Sequence, residues 1–245
     1  LSGESQPTTL MYALFIGGAG LLWIIAALFY AQIKEQPGAT EGGGNALREA
    51  IQRLSIMRDD KPFRRFVITR SLLLCSALSA PYYVVLGQKN IGTAASLLGL
   101  FMLASGAASL FSAPIWGRFA DVSSRQVMII AALMTSALGL AVYLLQTLHS
   151  DWLAVSWVLP ALYFMLSIAH QGVRIGRKTY VVDLAEGNKR TDYVAVSNTL
   201  IGLILLLMGF LGALGAVLDV SEIILLLSVL GAIGAAMAMT LPQAE

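Results

Sequence analysis

The sequence predicts an all-α polytopic membrane protein with seven transmembrane helices. Hydrophobic residues make up 57% of the 245-residue chain and charged residues only 12%, whereas a soluble domain is about 25% charged. The charges are also grouped between long apolar runs. A helix needs roughly 20 apolar residues to cross the hydrocarbon, and lipid offers no partner for backbone polar groups. Apolar runs of this length therefore indicate membrane-spanning helices.

The predicted spans form one separate helix, a linker and a bundle of six. Residues 1–31 hold the first span, at 10–31, and residues 32–65 form the linker. Residues 46–58 repeat apolar side chains at helical spacing, with arginines off that stripe, which predicts a basic amphipathic helix on a membrane surface. A solvated helix without lipid contact is the alternative. The bundle covers 66–245, with spans at 66–86, 93–115, 126–147, 152–172, 193–218 and 221–241.

The placement of basic residues predicts the orientation of these spans. Of the 16 lysines and arginines, 15 fall on one side of the predicted topology, and only Lys89 falls on the other. Basic residues concentrate in cytoplasmic loops. The linker and the C-terminus are therefore predicted to be cytoplasmic, with the N-terminus outside, and a bacterial inner membrane is the expected location.

A polar hinge separates two of the predicted spans. It covers residues 114–126, where Gly117, Asp121 and Arg125 follow one another at intervals of four. Glycine permits close helix approach, an acid near a helix start favours the positive end of the helix dipole, and a base one turn later can pair with it. The spacing therefore predicts a close-packed, ion-paired turn at the mouth of two membrane helices.

The hinge resembles the loop signature of the major facilitator superfamily, G-x-x-x-D-(R/K)-x-G-(R/K)-(R/K). Val122 replaces the usual base and Ser124 the second glycine. The arrangement of spans is similar to the C-terminal half of that family with the helix before it. On this resemblance 10–31 corresponds to helix 6, 32–65 to the central cytoplasmic loop, and 66–245 to helices 7–12.

The resemblance implies a secondary active transporter that works by alternating access, of which this chain is one part. Its expected partners are a lipid bilayer, a small-molecule substrate, a missing N-terminal half with helices 1–5, and a coupling proton or sodium ion. Asp121 would bind the other half of the transporter and stabilise the state closed to the cytoplasm. A capped turn without a gating role is the alternative. A non-transporting member of the same fold, serving as a sensor or assembly factor, is the alternative function.

The resemblance also places the substrate on helices 7, 8, 10 and 11. The side chains expected there are those of Tyr82, Tyr83, Tyr163 and Asn198. No Asp, Glu or Lys lies deep in any span, and Arg70, near the start of its span, is expected to snorkel to the surface. A weakly polar cavity of this kind favours efflux of a lipophilic or neutral compound.

A second polar segment follows the span at 152–172. It contains Arg174, Arg177, Lys178 and Asp183, and it is predicted to be a cytoplasmic loop. Its bases would contact anionic lipid head groups or Asp183. Ordinary positive-inside charge without a specific contact is the alternative.

Other classes of function have little support in the sequence. Cys75 is the only cysteine, so neither an intrachain disulfide nor a cysteine-based metal site is expected. His149 and His170 are not near an acid or nucleophile that would make a catalytic group, and the last span lacks the lysine that a retinal pump needs. No enzyme activity, metal, cofactor or nucleic-acid partner is therefore expected.

Overall fold

The computed structural model describes residues 9–32, 54–185, 189–210, 213 and 215–243, and every regular element within them is helical. This confirms the all-α prediction for the described part of the chain. The helices are α1 (Thr9–Tyr30), α2 (Ile56–Asp59), α3 (Lys61–Leu72), α4 (Cys75–Asn90), α5 (Ala95–Leu148), α6 (Ser150–Leu153), α7 (Val158–Leu184), α8 (Lys189–Met208) and α9 (Val220–Met239).

The chain divides into two compact units, Leu1–Gly44 and Asn45–Glu245. In the first unit, α1 is a 22-residue helix that matches the predicted span at 10–31. The predicted amphipathic helix at 46–58 lies mostly outside the described residues, and only its end is seen, where α2 forms one turn. The remaining helices belong to the second unit.

Five helices in the described residues are long and apolar enough to cross a membrane: Lys61–Asn90, which joins α3 and α4, and then α5, α7, α8 and α9. Their length and composition indicate an integral membrane protein, as the sequence predicted. The predicted number of seven spans differs from this count partly because α5 covers two of those spans in one element.

The helix α5 is broken at Ser123. Its 54 residues would extend about 80 Å as a straight helix, against a hydrocarbon thickness of about 30 Å. Ser123 has an extended backbone (φ −163°, ψ 98°), and its hydroxyl accepts a hydrogen bond from the backbone N–H of Gln126 at 3.3 Å. Ser123 therefore ends a first arm, 95–122, and caps a second arm, 124–148.

The two arms of α5 run in opposite directions along α7. Their contacts are Phe101 with Tyr163 and Ser109 with Gln171 from the first arm, and Ser124 with Asp183 and Ala131 with Gly172 from the second. Along the first arm, the number of the contacted α7 residue rises with the residue number of α5. Along the second arm, it falls. The chain therefore reverses at the break, inside the segment predicted to be a hinge.

Glycines on α7 allow this close packing. A Cβ atom added to Gly172 would lie 2.8 Å from the Trp116 ring, and one added to Gly176 would lie 3.0 Å from the Ser124 carbonyl oxygen. Small residues let membrane helices approach in this way. The predicted packing role of Gly117 is wrong, because a Cβ atom there would meet no atom within 4 Å.

One end of the second unit gathers most of the described basic residues, and we call it the basic end. Contacts there join the start of α3 to the start of α8 (Phe63 with Tyr193) and to the end of α7 (Phe66 with Tyr180). Asp60 caps α3 by accepting the backbone N–H of Phe63 at 2.9 Å, and it also accepts a hydrogen bond from the Tyr193 hydroxyl. The opposite end carries the ion pair Lys89–Asp219 at 2.9 Å.

Candidate functional site

The helices α3 and α4 pack antiparallel to α7, and polar groups occupy the middle of the contact. Successive layers join Phe66 to Tyr180 (ring centroids 5.2 Å apart), Ser76 to His170 (3.2 Å) and Tyr83 to Tyr163 (ring centroids 6.4 Å apart). Four basic side chains lie between and beside the first two layers. We call Arg70, His170, Arg174 and Arg177 the basic cluster.

Helical spacing places three members of the basic cluster on one face of α7. His170, Arg174 and Arg177 are four and three residues apart, which puts them on the same side of a helix. Tyr163, seven residues before His170, continues this face. The spacing was visible in the sequence, but the prediction ended the span at residue 172 and so separated His170 from the two arginines.

Arg70 joins the cluster from α3. Its Nη1 donates to the Ser197 hydroxyl at 2.6 Å and its Nη2 to the Asn198 side-chain oxygen at 2.7 Å, while its Nε is buried without an acceptor in the described residues. The expectation that Arg70 snorkels to the surface is therefore wrong. Arg70 lies about 14 Å along α3 from Lys61. At that level α8 offers two polar side chains, which bind the guanidinium inside the helix bundle.

The described basic side chains of the cluster act on one another electrostatically. Arg177 interacts electrostatically with Arg70 and with His170, and Arg174 interacts with both His170 and Arg177. In the described residues none of the four forms an ion pair with a carboxylate. Like charges that are partly removed from water repel one another strongly. The cluster therefore has an excess of positive charge.

A hydrogen bond to Ser76 of α4 orients the ring of His170. The Ser76 hydroxyl donates to the Leu73 carbonyl at 3.0 Å, so its oxygen is left to accept from Nδ1 of His170 at 3.2 Å. This assigns the proton of a neutral imidazole to Nδ1 and leaves Nε2 as an acceptor. Among the described residues the ring of His170 bonds to the Ser76 hydroxyl and to no carboxylate.

The structure brings some of the predicted substrate residues to the cluster. Asn198 is exposed and accepts a hydrogen bond from Arg70. Tyr83 is fully buried, with its hydroxyl unpartnered in the described residues, and Tyr163 packs edge-on against Phe101. Tyr82 is half-buried and packs with apolar core residues. Asn198 therefore contacts the cluster directly, whereas Tyr163 lies two turns away from His170 on the same face of α7.

The predicted ion pair of the hinge is not formed. Arg125 donates to the backbone carbonyl of Leu241 at 2.8 Å, and Asp121 is exposed without a bonding partner in the described residues. The break at Ser123 lies between Asp121 and Arg125, so the two are not one turn apart on the same helix. Asp121 also lies at the end of the first arm rather than at a helix start, so the predicted dipole interaction is wrong as well.

The segment with Arg174, Arg177, Lys178 and Asp183 is helical, and the prediction of a loop is wrong. The helix α7 continues to Leu184 because Val173, Tyr180 and Val181 are buried at helical spacing on its inner side. Lys178 is exposed, and Asp183 accepts a hydrogen bond from the Ser124 hydroxyl at 3.2 Å.

The described residues contain no group of three or more His, Cys, Asp or Glu side chains that could hold a metal ion. No protein-family model matches the sequence, and no curated protein matches it.

Proposed function

We propose that this chain is part of a secondary active transporter that moves a small organic solute across a membrane by alternating access. The basic cluster carries the proposal. Its four ionisable side chains lie on helices that are long and apolar enough to cross a membrane. Ionisable groups in such helices are costly, and substrate or ion pathways are where they usually occur.

The helix arrangement supports the same proposal. If each antiparallel arm of α5 is one span, the unit Asn45–Glu245 has six: α3 with α4, the two arms, α7, α8 and α9. Six is the number of spans in one half of a major facilitator superfamily transporter, which that family builds from two repeats of three. With α1 as a seventh span, the proposed order is helix 6, the central loop, and helices 7–12.

We propose that the basic end faces the cytoplasm of a bacterial cell, with the C-terminus on that side. The support is the concentration of described lysines and arginines at that end, while Lys89 lies at the other. Asp121 is exposed close to the chain reversal and has no bonding partner in the described residues. It is therefore available to bind a second six-helix half in one state of the transport cycle.

Flux measurements on the full-length protein in proteoliposomes test this proposal. A panel of labelled neutral compounds, organic carboxylates and phosphate esters would be compared in liposomes with and without protein. Saturable, protein-dependent flux of at least one compound is the expected result. Specific binding without flux would instead favour a non-transporting protein of the same fold, acting as a sensor or assembly factor.

The sequence favoured a neutral or lipophilic solute because it indicated no fixed charge on the substrate side. Against that premise, Arg70 donates hydrogen bonds to Ser197 and Asn198 of α8, and Arg177 interacts electrostatically with Arg70. The expected efflux rested on the same weakly polar cavity and loses that support. A proton or sodium ion stays the coupling ion that the family resemblance implies.

A further inference from the structure

We infer that the basic cluster binds an oxyanion, a carboxylate or phosphate group, between Arg70 and Arg177. This inference rests on the proposed function in one respect: it gives the class of solute that the transporter would carry. The binding itself does not depend on transport. Three observations support it, namely unused hydrogen-bond donors, unneutralised charge and one open side.

The first observation concerns the guanidinium groups. The Nε atoms of Arg70 and Arg177 are both buried and lack an acceptor in the described residues. Arg70 engages only its two Nη atoms, with Ser197 and Asn198. Buried donors in proteins nearly always have a partner. Two unpartnered donors in the same cluster indicate that an acceptor group belongs there.

The second observation concerns charge. Arg174 and Arg177 act on His170, and Arg177 acts on Arg70, so all the interactions within the cluster are between bases. The acid nearest along α7, Asp183, is bonded to Ser124 instead. An oxyanion between the arginines would supply both the missing acceptor and the missing negative charge. Arginine is suited to this, because its planar fork of donors matches the oxygens of carboxylates and phosphates.

The third observation concerns access. Arg174 and Asn198 are exposed, whereas Arg70, His170 and Arg177 are half-buried, so the cluster opens to the surface on one side. The stacked pair Phe66–Tyr180 closes the layer toward the basic end. The pair Tyr83–Tyr163 forms the aromatic layer on the other side.

The bound carboxylate or phosphate group has two sources, a soluble anion and the head group of an anionic lipid. The full-length protein is therefore placed in phosphatidylcholine nanodiscs, and its melting temperature is followed with increasing potassium phosphate or sodium benzoate. Potassium chloride at equal ionic strength is the reference. A ligand that binds only the folded protein raises the melting temperature in a saturable way, and the curve yields its Kd. A second preparation contains phosphatidylglycerol.

Arg70→Gln and Arg177→Gln are expected to raise the Kd of the anion by roughly 10- to 100-fold, the usual effect of losing a charge-assisted hydrogen bond. Lys178→Gln removes the same charge from an exposed position next to Arg177 and is expected to leave the Kd unchanged. In potassium chloride alone, Arg177→Gln should have a melting temperature equal to or above that of the wild type, because it relieves repulsion.

Stabilisation by phosphatidylglycerol that needs Arg70 and suppresses the response to phosphate would identify a lipid head group as the anion, and it supports the inference. Saturable binding of phosphate or benzoate that phosphatidylglycerol does not alter supports a soluble anion.

The inference is overturned if neither soluble anion nor phosphatidylglycerol changes the melting temperature. It is also overturned if Arg70→Gln and Arg177→Gln bind like Lys178→Gln, or if Arg177→Gln melts several degrees lower in chloride, since an acid of the protein itself would then neutralise the cluster. Binding is measured without flux, so failure of the proposed transport function leaves this result standing. Flux of a neutral compound without anion binding overturns the anion site alone.

Discussion

Arg125 donates a hydrogen bond from Nη1 to the backbone carbonyl oxygen of Leu241, 2.8 Å away, and joins the start of the second arm of α5 to the end of α9. Leu241 follows the C-cap residue Thr240, next to the end of α9 that carries the negative end of the helix dipole. A guanidinium suits this place. Arg125 therefore stabilises the packing of two helices that are far apart in sequence, rather than a local pair with Asp121.

This relationship predicts that Arg125 and Asp121 are energetically independent. Arg125→Ala is expected to lower the free energy of unfolding by about 1.5–3 kcal/mol, the range for a hydrogen bond to a charged group. Asp121→Ala is expected to change it by less than about 0.5 kcal/mol, as is usual for an exposed site. Unfolding of the two single variants and the double variant measures their coupling. A coupling energy above about 0.5 kcal/mol would contradict the separation seen here.

A gating role for Asp121 predicts a defect in turnover without a defect in folding. Because the carboxylate has no bonding partner in the described residues, Asp121→Asn in the full-length protein should keep its expression and melting temperature. If the carboxylate binds the other half of the transporter, its removal should lower the flux several-fold. Asp151→Asn, at an exposed position of the opposite end, is the matched control. Equal flux in the two variants would remove the gating role.

The glycines of α7 predict where a single methyl group is not tolerated. Gly172→Ala would place its Cβ atom 2.8 Å from Ala131 and from the Trp116 ring, and overpacking of this kind costs about 1–3 kcal/mol. Gly117→Ala meets open space in a helix, and it should be neutral or stabilising by up to about 1 kcal/mol. Thermal unfolding in detergent compares the two. Similar destabilisation of both would mean that the close contact is not at Gly172.

The capping of α3 predicts a stability difference between two neighbouring acids. Asp60 accepts hydrogen bonds from the backbone N–H of Phe63 and from the Tyr193 hydroxyl, whereas Asp59 is exposed. Asp60→Ala should lower the free energy of unfolding by about 1–2 kcal/mol through loss of the cap. The loss of the hydrogen bond from Tyr193 should add to this destabilisation. Asp59→Ala should have little effect. Tyr193→Phe, which keeps the cap, should lie between them in chemical unfolding.

The helical class, the membrane character and the place of the chain reversal could be predicted from the sequence. Apolar runs of about 20 residues have few alternatives in a membrane, and a polar segment between two such runs is a place where the chain can turn. The polar hinge at 114–126 contains the break at Ser123 for the same reason. These properties depend on local composition, which a sequence carries directly.

The partners of individual side chains were decided only by the tertiary structure. Arg70 was expected at the surface and lies against Ser197 and Asn198, more than a hundred residues away in sequence. Arg177 was expected in a loop and lies on a helix that contacts α3 and α4. A base can continue a membrane helix when the facing helix offers polar groups. Which helix it faces depends on packing between distant segments, and hydrophobic periodicity does not encode that choice.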